Sequence, residues 1–298
     1  MHIRRSAVAA GMVFCLHILF APGGPAAAQD LDAVKARGVL RHLGIPYANF
    51  VTGSGDGMDV ELMRRFAEHL GVRYQYVRTD WDEAIGDLTG KNVRPRKGGG
   101  YEVVGEVPIR GDVIANGVTV LPWREQVVAF SVPTFPNQVW LVARSDSPLA
   151  PITPSGSIEK DIASVKKLLR ERSLLCKENT CLDPALYEID ATGARVRLFS
   201  GSLNELAPAL LNGEAEVTLL DVPDALVALE KWPGKIKVIG PISDVQDMAV
   251  AFRKDAPALR AAFDAFLADL KRSGAFRAIA MKYYPYVKDY YPGFFKGL

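Results

Sequence analysis

The segment "GVTVLPWREQVVAFS", Gly117 to Ser131, places Arg124 in a seam between two apolar runs. Arginine is seldom enclosed without a partner, so this side chain either reaches solvent along its stem or has an anion beside it. On the residues alone, a nearby carboxylate such as Glu125 or Asp82 is the default partner. A second chemical feature is the pair Cys176 and Cys181 in "LLCKENTCLD". Four intervening residues can turn back and bring the two Cα atoms within bridging distance. In an oxidising compartment such an even pair predicts a disulfide. Neither a CxxC nor a nearby His or Cys pair accompanies it, which argues against a redox or zinc site. His42 and His69 lack a ligating pattern and read as surface or internally satisfied histidines. No catalytic set, metal site or cofactor is expected.

The compartment follows from the N-terminus. "MHIRR" is a basic start, "SAVAAGMVFCLHILFAP" an apolar stretch, and "PAAAQ" ends it with Ala26-x-Ala28. This is the layout of a cleavable secretory signal over residues 1–28, cut near Ala28, and it implies export to the periplasm. Cys15 leaves with the signal and is preceded by Phe14 rather than the small residue expected before a lipidated cysteine. Removing 28 of 298 residues leaves 270, enough for one large domain or two modest ones. The signal takes Arg4 and Arg5, so 36 basic residues become 34, against 34 acidic ones. A mature charge of zero without Lys/Arg blocks gives no footprint for nucleic acid or a membrane surface.

Short apolar runs alternate with amphipathic stretches, the pattern of an α/β chain. Strands are expected at 38–45, 72–79 and 111–120, in "VVAFS" and "NQVWLVARS", and again in "SLLCK", "RVRLFS", "EVTLLDV", "KIKVIG" and 248–254. Helices are expected over 58–71, 81–90, 158–172, 202–213, 223–234 and 257–285, the last with a break at Gly274. Ser202-x-x-Glu205 is a capping box, Pro208 should kink the helix it opens, and Asp183-Pro184 is an N-cap followed by Pro at the first helical position. Residues 92–110, with three consecutive glycines, lack a helical period and read as a surface excursion or small hairpin. The Pro/Ser-rich "DSPLAPITPSGS" marks a boundary between two lobes of similar size.

Several of these segments, in order, resemble the extracytoplasmic solute-binding proteins of amino-acid ABC transporters, the family-3 type. The resemblance is carried by "GMDVELMRRFAEHLGV", "WDEAIGDLTGK", "GDVIANGVTVLPWREQVVAFSVPTF", "LAPALLNGEAEVTLLDVPDAL" and "MAVAFRKDAPALRAAFDAFLADLKRSGAFRAIAMKYYP", and it covers most of 38–285. It implies a two-lobe periplasmic-binding-protein fold (type II) with the ligand cleft between the lobes. Lobe 1 is then discontinuous, 29–144 plus 246–298, and lobe 2 spans 145–245. The implied partners are a small polar carboxylate or amino-acid-like ligand and a membrane ABC permease, with the chain itself a monomer.

Site residues follow from the same resemblance. A zwitterion closed between two lobes loses water from both charges, and each needs a pre-placed counter-charge. Arg124 aligns with the family arginine whose fork takes the ligand carboxylate, and Thr119 with the threonine near it. Asp221, at the end of its strand, aligns with the residue that takes the ammonium, although capping the next helix would also explain it. Tyr47 and Phe50 lie near aromatic positions that flank ligands, and Thr180, with Asn179, stands in for a lobe-2 loop donor. Trp81 is either a helix-entry staple or a site wall, while Trp123 and Trp140 read as packing. Two residues depart from the family turn: Leu121 replaces a second threonine, and Val132 an aspartate. The resemblance leaves two further readings: an accessory or sensor protein of a periplasmic quinoprotein-type dehydrogenase, with the aromatic tail as a docking surface, and a cleft enzyme of the cyclohexadienyl dehydratase kind.

Overall fold

The structure, a computed structural model, describes residues 26–96 and 99–296. The expected leader falls almost wholly outside the described residues; only its last three, Ala26 to Ala28, do not, and they begin the first helix. Among the described residues no helix is long and apolar enough to cross a membrane.

Lobe 1 starts with α1 (Ala26–Arg37), β1 (Val39–Gly44), α2 (Met58–His69), β2 (Arg73–Arg78) and α3 (Ala84–Thr89). The hairpin β3 (Lys91–Pro95) and β4 (Tyr101–Glu106) follows, then β5 (Val113–Thr119), the single turn α4 (Pro122–Glu125), β6 (Val128–Phe130) and β7 (Phe135–Asn137). Lobe 2 holds β8 (Val139–Arg144), α5 (Ile158–Lys167), β9 (Ser173–Cys176), β10 (Arg195–Leu198), α6 (Leu206–Leu211), β11 (Val217–Asp221), α7 (Val222–Lys231) and β12 (Ile236–Pro241). The chain returns through β13 (Gln246–Arg253) to α8 (Pro257–Arg272), α9 (Ala275–Tyr283) and α10 (Val287–Tyr290).

Each lobe is a sheet covered by helices. The first sheet runs β2-β1-β5-β13-β6, with β7 also pairing β13; β1 is parallel to β2 and β5, and β13 is antiparallel to its neighbours. The second runs β10-β9-β11-β8-β12, parallel among β10, β9 and β11 and antiparallel around β8. Every residue of β5 and β11 is buried, as strands covered on both faces require.

The expected lobe boundary moves. Val139–Arg144, assigned above to lobe 1, is a central strand of the second sheet, so the chain crosses at Gln138 rather than after Arg144. The strand expected in "NQVWLVARS" is β8; the short β7 just before it was not expected and belongs to the other sheet, the two meeting at Gln138. The Pro/Ser stretch is a surface connection within lobe 2. Pro208 also departs from expectation. The capping box encloses a short 3₁₀ turn, Leu203–Glu205, and α6 begins only at Leu206. Pro208 therefore sits in the first turn of α6, where its missing N–H breaks no bond. Gly274 does break the last helix, with φ +75°.

The aromatic tail packs rather than projecting whole. Tyr284, Val287 and Phe295 are buried, the Tyr291 hydroxyl donates to Gln138 Oε1 (3.2 Å), and Tyr290 packs on Trp140. The C-terminus thus braces the crossing point between the lobes.

Candidate functional site

Arg124 owes its position to three local facts. β5 ends at Thr119; Leu121 is the N-cap of α4; Pro122 occupies the first helical position, where its fixed φ suits the turn. This single turn carries Arg124 back over the strand end. Its Nη1 donates to the Thr119 carbonyl (2.9 Å), and its guanidinium lies over the rings of Trp123 (5.4 Å) and Trp81 (5.9 Å). The residue is 4 % exposed. Among the described residues it makes no ion pair, so neither Glu125 nor Asp82 plays the default role. Burial pulls its pKa down from the ordinary arginine value, yet guanidinium keeps its proton under all ordinary conditions. The result is a buried cation held by one carbonyl and two rings.

Asp221 faces it from lobe 2. It ends β11, is 1 % exposed, and caps α7 by accepting the Asp224 N–H (3.4 Å). Capping and a place at the cleft are therefore not alternatives here. The same carboxylate accepts the Tyr47 hydroxyl from lobe 1 and the Cys181 thiol (3.2 Å). Burial raises its pKa, and the bonds from Tyr47 and Cys181 pull it back. Asp224 is driven higher still, by burial and then by the charge of Asp221, and among the described residues its Oδ2 has no partner.

Tyr47, Trp81, Gly117, Thr119, Arg124, Thr180, Cys181, Leu203 and Asp221 surround one space between the lobes, and it has no room for a water molecule. Of the expected residues, the structure brings Arg124, Asp221, Thr119, Tyr47 and Thr180 together. Thr119 Oγ1 accepts from Asn137 Nδ2 (3.3 Å). The Thr180 hydroxyl is spent locally, donating to the Lys177 carbonyl (2.8 Å) and accepting the Leu182 N–H (3.0 Å).

Phe50 is a correction: it does not reach the space. It lies behind Tyr47 (rings 6.0 Å apart), packed edge-on against Phe135 (5.2 Å) and tilted against Tyr284 (5.2 Å). It acts through Gly117, whose φ is +65° and where any Cβ would fall 2.3 Å from the Phe50 ring. That glycine lets the wall of the site lie flat on the core. Its N–H donates to Asp59 Oδ2 (2.8 Å).

The disulfide is a second correction. Cys176 and Cys181 are both free and buried. Cys176, at the end of β9, sits in the lobe-2 core, where burial pushes its thiol up to about 12. Cys181 is turned toward the cleft and used as a donor to Asp221, while its carbonyl accepts the Tyr187 hydroxyl (2.5 Å). Spacing permitted a bridge; the fold sends the two thiols to different places.

Trp81, left undecided by the sequence, is a wall of the space, set edge-on to Tyr47 at 5.6 Å. Cys181 and Leu203 were missed as lining residues. Leu203 had a signal, since it follows the capping-box Ser202 that presents a helix start to the cleft; Cys181 had none beyond its place next to Thr180. His42 is a satisfied histidine: Nδ1 pairs with the Tyr74 hydroxyl (2.8 Å) and Nε2 with the Ala115 carbonyl (2.6 Å). Because a carbonyl only accepts, Nε2 carries the proton and Nδ1 accepts.

The lobes are also joined outside this space. Asn204 Oδ1 accepts the Ala48 N–H (2.8 Å), and its Nδ2 donates to the Pro46 carbonyl (3.3 Å). One lobe-2 amide is thus satisfied on both ends by lobe-1 backbone.

Two sheets joined by crossing strands, with a buried cation and a buried carboxylate facing one another between them, define a two-lobe binding protein of the type II architecture. Residues 109–286 match the bacterial extracellular solute-binding proteins, family 3, and the chain belongs to that family. It is 26 % identical over 238 residues to "Membrane-bound lytic murein transglycosylase F" of Desulfosudis oleivorans; 78 % of this chain is covered, but the match spans only 45 % of that protein's length. It is 24 % identical to the octopine-binding periplasmic protein of Rhizobium meliloti, covering 82 % of this chain and 81 % of that one. A crystal structure of a mutant of ArgBP from T. maritima superposes with TM-score 0.67 at 25 % identity, covering 86 % of this chain and 99 % of that one.

Proposed function

We propose that the chain is exported by cleavage near Ala28 and captures a small amino-acid-like carboxylate in the periplasm, as a monomer, for delivery to a membrane ABC permease. The observation that carries this reading is Arg124, a buried guanidinium with no carboxylate partner among the described residues, opposite Asp221. A ligand carboxylate supplies the missing anion in bidentate form, and a ligand ammonium replaces the Tyr47 and Cys181 donors at Asp221. Because the space admits no water in the closed arrangement, the ligand enters with the lobes apart and is enclosed as they meet. No catalytic step and no cofactor is part of this reading.

The test is a thermal-shift screen of amino acids, organic acids and polyamines, since a ligand of the folded state raises the midpoint by mass action. Shifts by amino acids that vanish in Arg124→Ala support the reading; a screen without any shift from a carboxylate or an amine removes it.

A cleft enzyme is the second reading, and one observation favours it. Asp221 and Asp224 share a buried site with raised pKa values, next to the Tyr47 and Cys181 protons, which is a source for general-acid chemistry. Product formation from cyclohexadienyl acids would establish it. For the accessory role beside a quinoprotein-type dehydrogenase, pull-down from periplasm decides between a permease and a soluble dehydrogenase.

A further inference from the structure

The β3–β4 hairpin stands over a second chamber that opens beside the inner space. This chamber offers ≈830 Å³ of water-accessible volume, where the inner space offers none. The two share Thr180 as a wall, and a small space of ≈20 Å³ between them has Trp81 and Arg124 in common with the inner space and Trp123 and Asn179 in common with the chamber. One wall of the chamber is the hairpin, with Arg94 and Arg96; the other is the lobe-2 loop after β9, with Glu178 and Asp183.

The charges on these walls are unequally committed. Asp183 is spent on backbone: Oδ1 accepts the Ala185 N–H (2.9 Å) and Oδ2 the Asn179 N–H (3.1 Å). Arg96 is paired with Glu102 (3.6 Å). Arg94 is exposed and, among the described residues, has no ion pair. Glu178, also exposed, lies on the far wall. The hairpin side therefore presents a guanidinium toward the chamber while one of the two facing carboxylates is already satisfied.

We propose that the chamber under the hairpin is a subsite for the distal end of an elongated ligand. Its class is an α-amino acid whose side chain carries a second carboxylate on an extended arm, with Arg94 as partner of that carboxylate. This rests on the reading of the Arg124–Asp221 space as the site of the α-amino-acid head. The inner space has no room for water as the lobes stand, so the head enters with the lobes apart, whereas the chamber beside it already offers ≈830 Å³ and takes the arm as the lobes close on the head. Arg94 is exposed, so its contribution is modest and screened by salt.

The experiment is titration calorimetry with matched probes: Nε-succinyl-L-lysine against Nε-acetyl-L-lysine, and Nδ-succinyl-L-ornithine against Nδ-acetyl-L-ornithine. Within each pair the head is identical, and the succinyl probe alone carries a distal carboxylate. The expected result is that at least one succinyl probe binds about three- to tenfold tighter than its acetyl partner at low salt. This preference collapses in Arg94→Glu, halfway in Arg94→Ala, and in 0.5 M salt. Equal binding within both pairs overturns the subsite, and so does a preference that Arg94→Glu leaves intact. Free L-lysine or L-ornithine binding where no conjugate does overturns the subsite while leaving the head reading in place. If neither free amino acids nor conjugates bind, the head reading falls and the subsite with it.

Discussion

Arg124 on lobe 1 and Asp221 on lobe 2 are equally buried but very differently satisfied. Asp221 accepts three hydrogen bonds, from Tyr47, Cys181 and the Asp224 backbone. Arg124 donates one, to a carbonyl five residues behind it. The carboxylate side is complete as the lobes stand; the guanidinium side is not. An ammonium arriving at Asp221 must displace donors that are already in place, so its net gain is small. A carboxylate arriving at Arg124 displaces no protein donor; it gives up only its own water, which a charge-assisted bidentate pair in a site that excludes water offsets. The difference predicts that affinity is carried mainly by lobe 1 and that lobe 2 contributes selection.

The largest effect should come from Arg124→Ala. Truncating one partner of a buried charge pair costs about 2–5 kcal/mol, so the affinity for any carboxylate ligand is expected to fall by two orders of magnitude or more. Isothermal titration checks this, and a loss below tenfold breaks the comparison. Asp221→Asn keeps acceptors for Tyr47 and Asp224 and removes only the charge. We expect roughly a tenfold loss for amine-bearing ligands and almost none for plain carboxylates; an equal loss for both would put the two faces on a par.

The next effect concerns stability. Asp59, on α2 beneath Gly117, is pushed by burial from the ordinary 3.8 up to about 7, with one N–H among the described residues, that of Gly117, to hold its charge. The folded state then holds this proton more tightly than the unfolded chain does. Stability from this group is present at low pH and is lost as pH rises from 3.8 to about 7. Asp59→Asn keeps the bond from Gly117 without the charge, and should stabilise the protein by roughly 2–4 kcal/mol at pH 8. Little change is expected at pH 4, read by urea midpoints. His42 runs the other way: burial lowers it from 6.5 to about 4, so its contribution is present above 6.5 and lost as pH falls through that window.

The smallest effects should fall on the contacts between lobes. Tyr47→Phe removes a donor from a buried carboxylate and is expected to cost about 1–2 kcal/mol of thermal stability. Asn204→Ala touches no ligand group but removes both ends of the amide clamp. Closure should weaken by about 1 kcal/mol, seen as a larger radius of gyration by small-angle scattering and a fewfold lower affinity. An unchanged radius would show that the clamp does not hold the lobes together.

Much of the framework was legible along the chain. Period and punctuation located the main strands and helices, because apolar spacing and capping act over a few residues: Gly90 and Gly274, both left-handed, end α3 and α8 where the pattern stopped. Arg124 was legible because an arginine between apolar runs is costly unless something compensates for it. What failed did so for non-local reasons. β7, three residues with Pro136 at the centre, has no strand pattern of its own, and only its pairing with β13 makes it a strand. Phe50 and Tyr47 look alike in "IPYANF", and only the packing of Phe135 and Tyr284 sends one to the core and the other to the cleft.

The sequence by itself determined the α/β pattern, the two-lobe organisation and the presence of an arginine in need of an anion. The tertiary structure alone decided what stands around that arginine. It separated the two cysteines, gave one of them to Asp221, and brought Trp81, Tyr47 and Leu203 to a common space. The physical reason is that a counter-charge and a wall are supplied by residues far apart in the chain. Whether Asp221 merely caps a helix or also faces Arg124 depends on how two separate sheets close on one another, which no local pattern encodes.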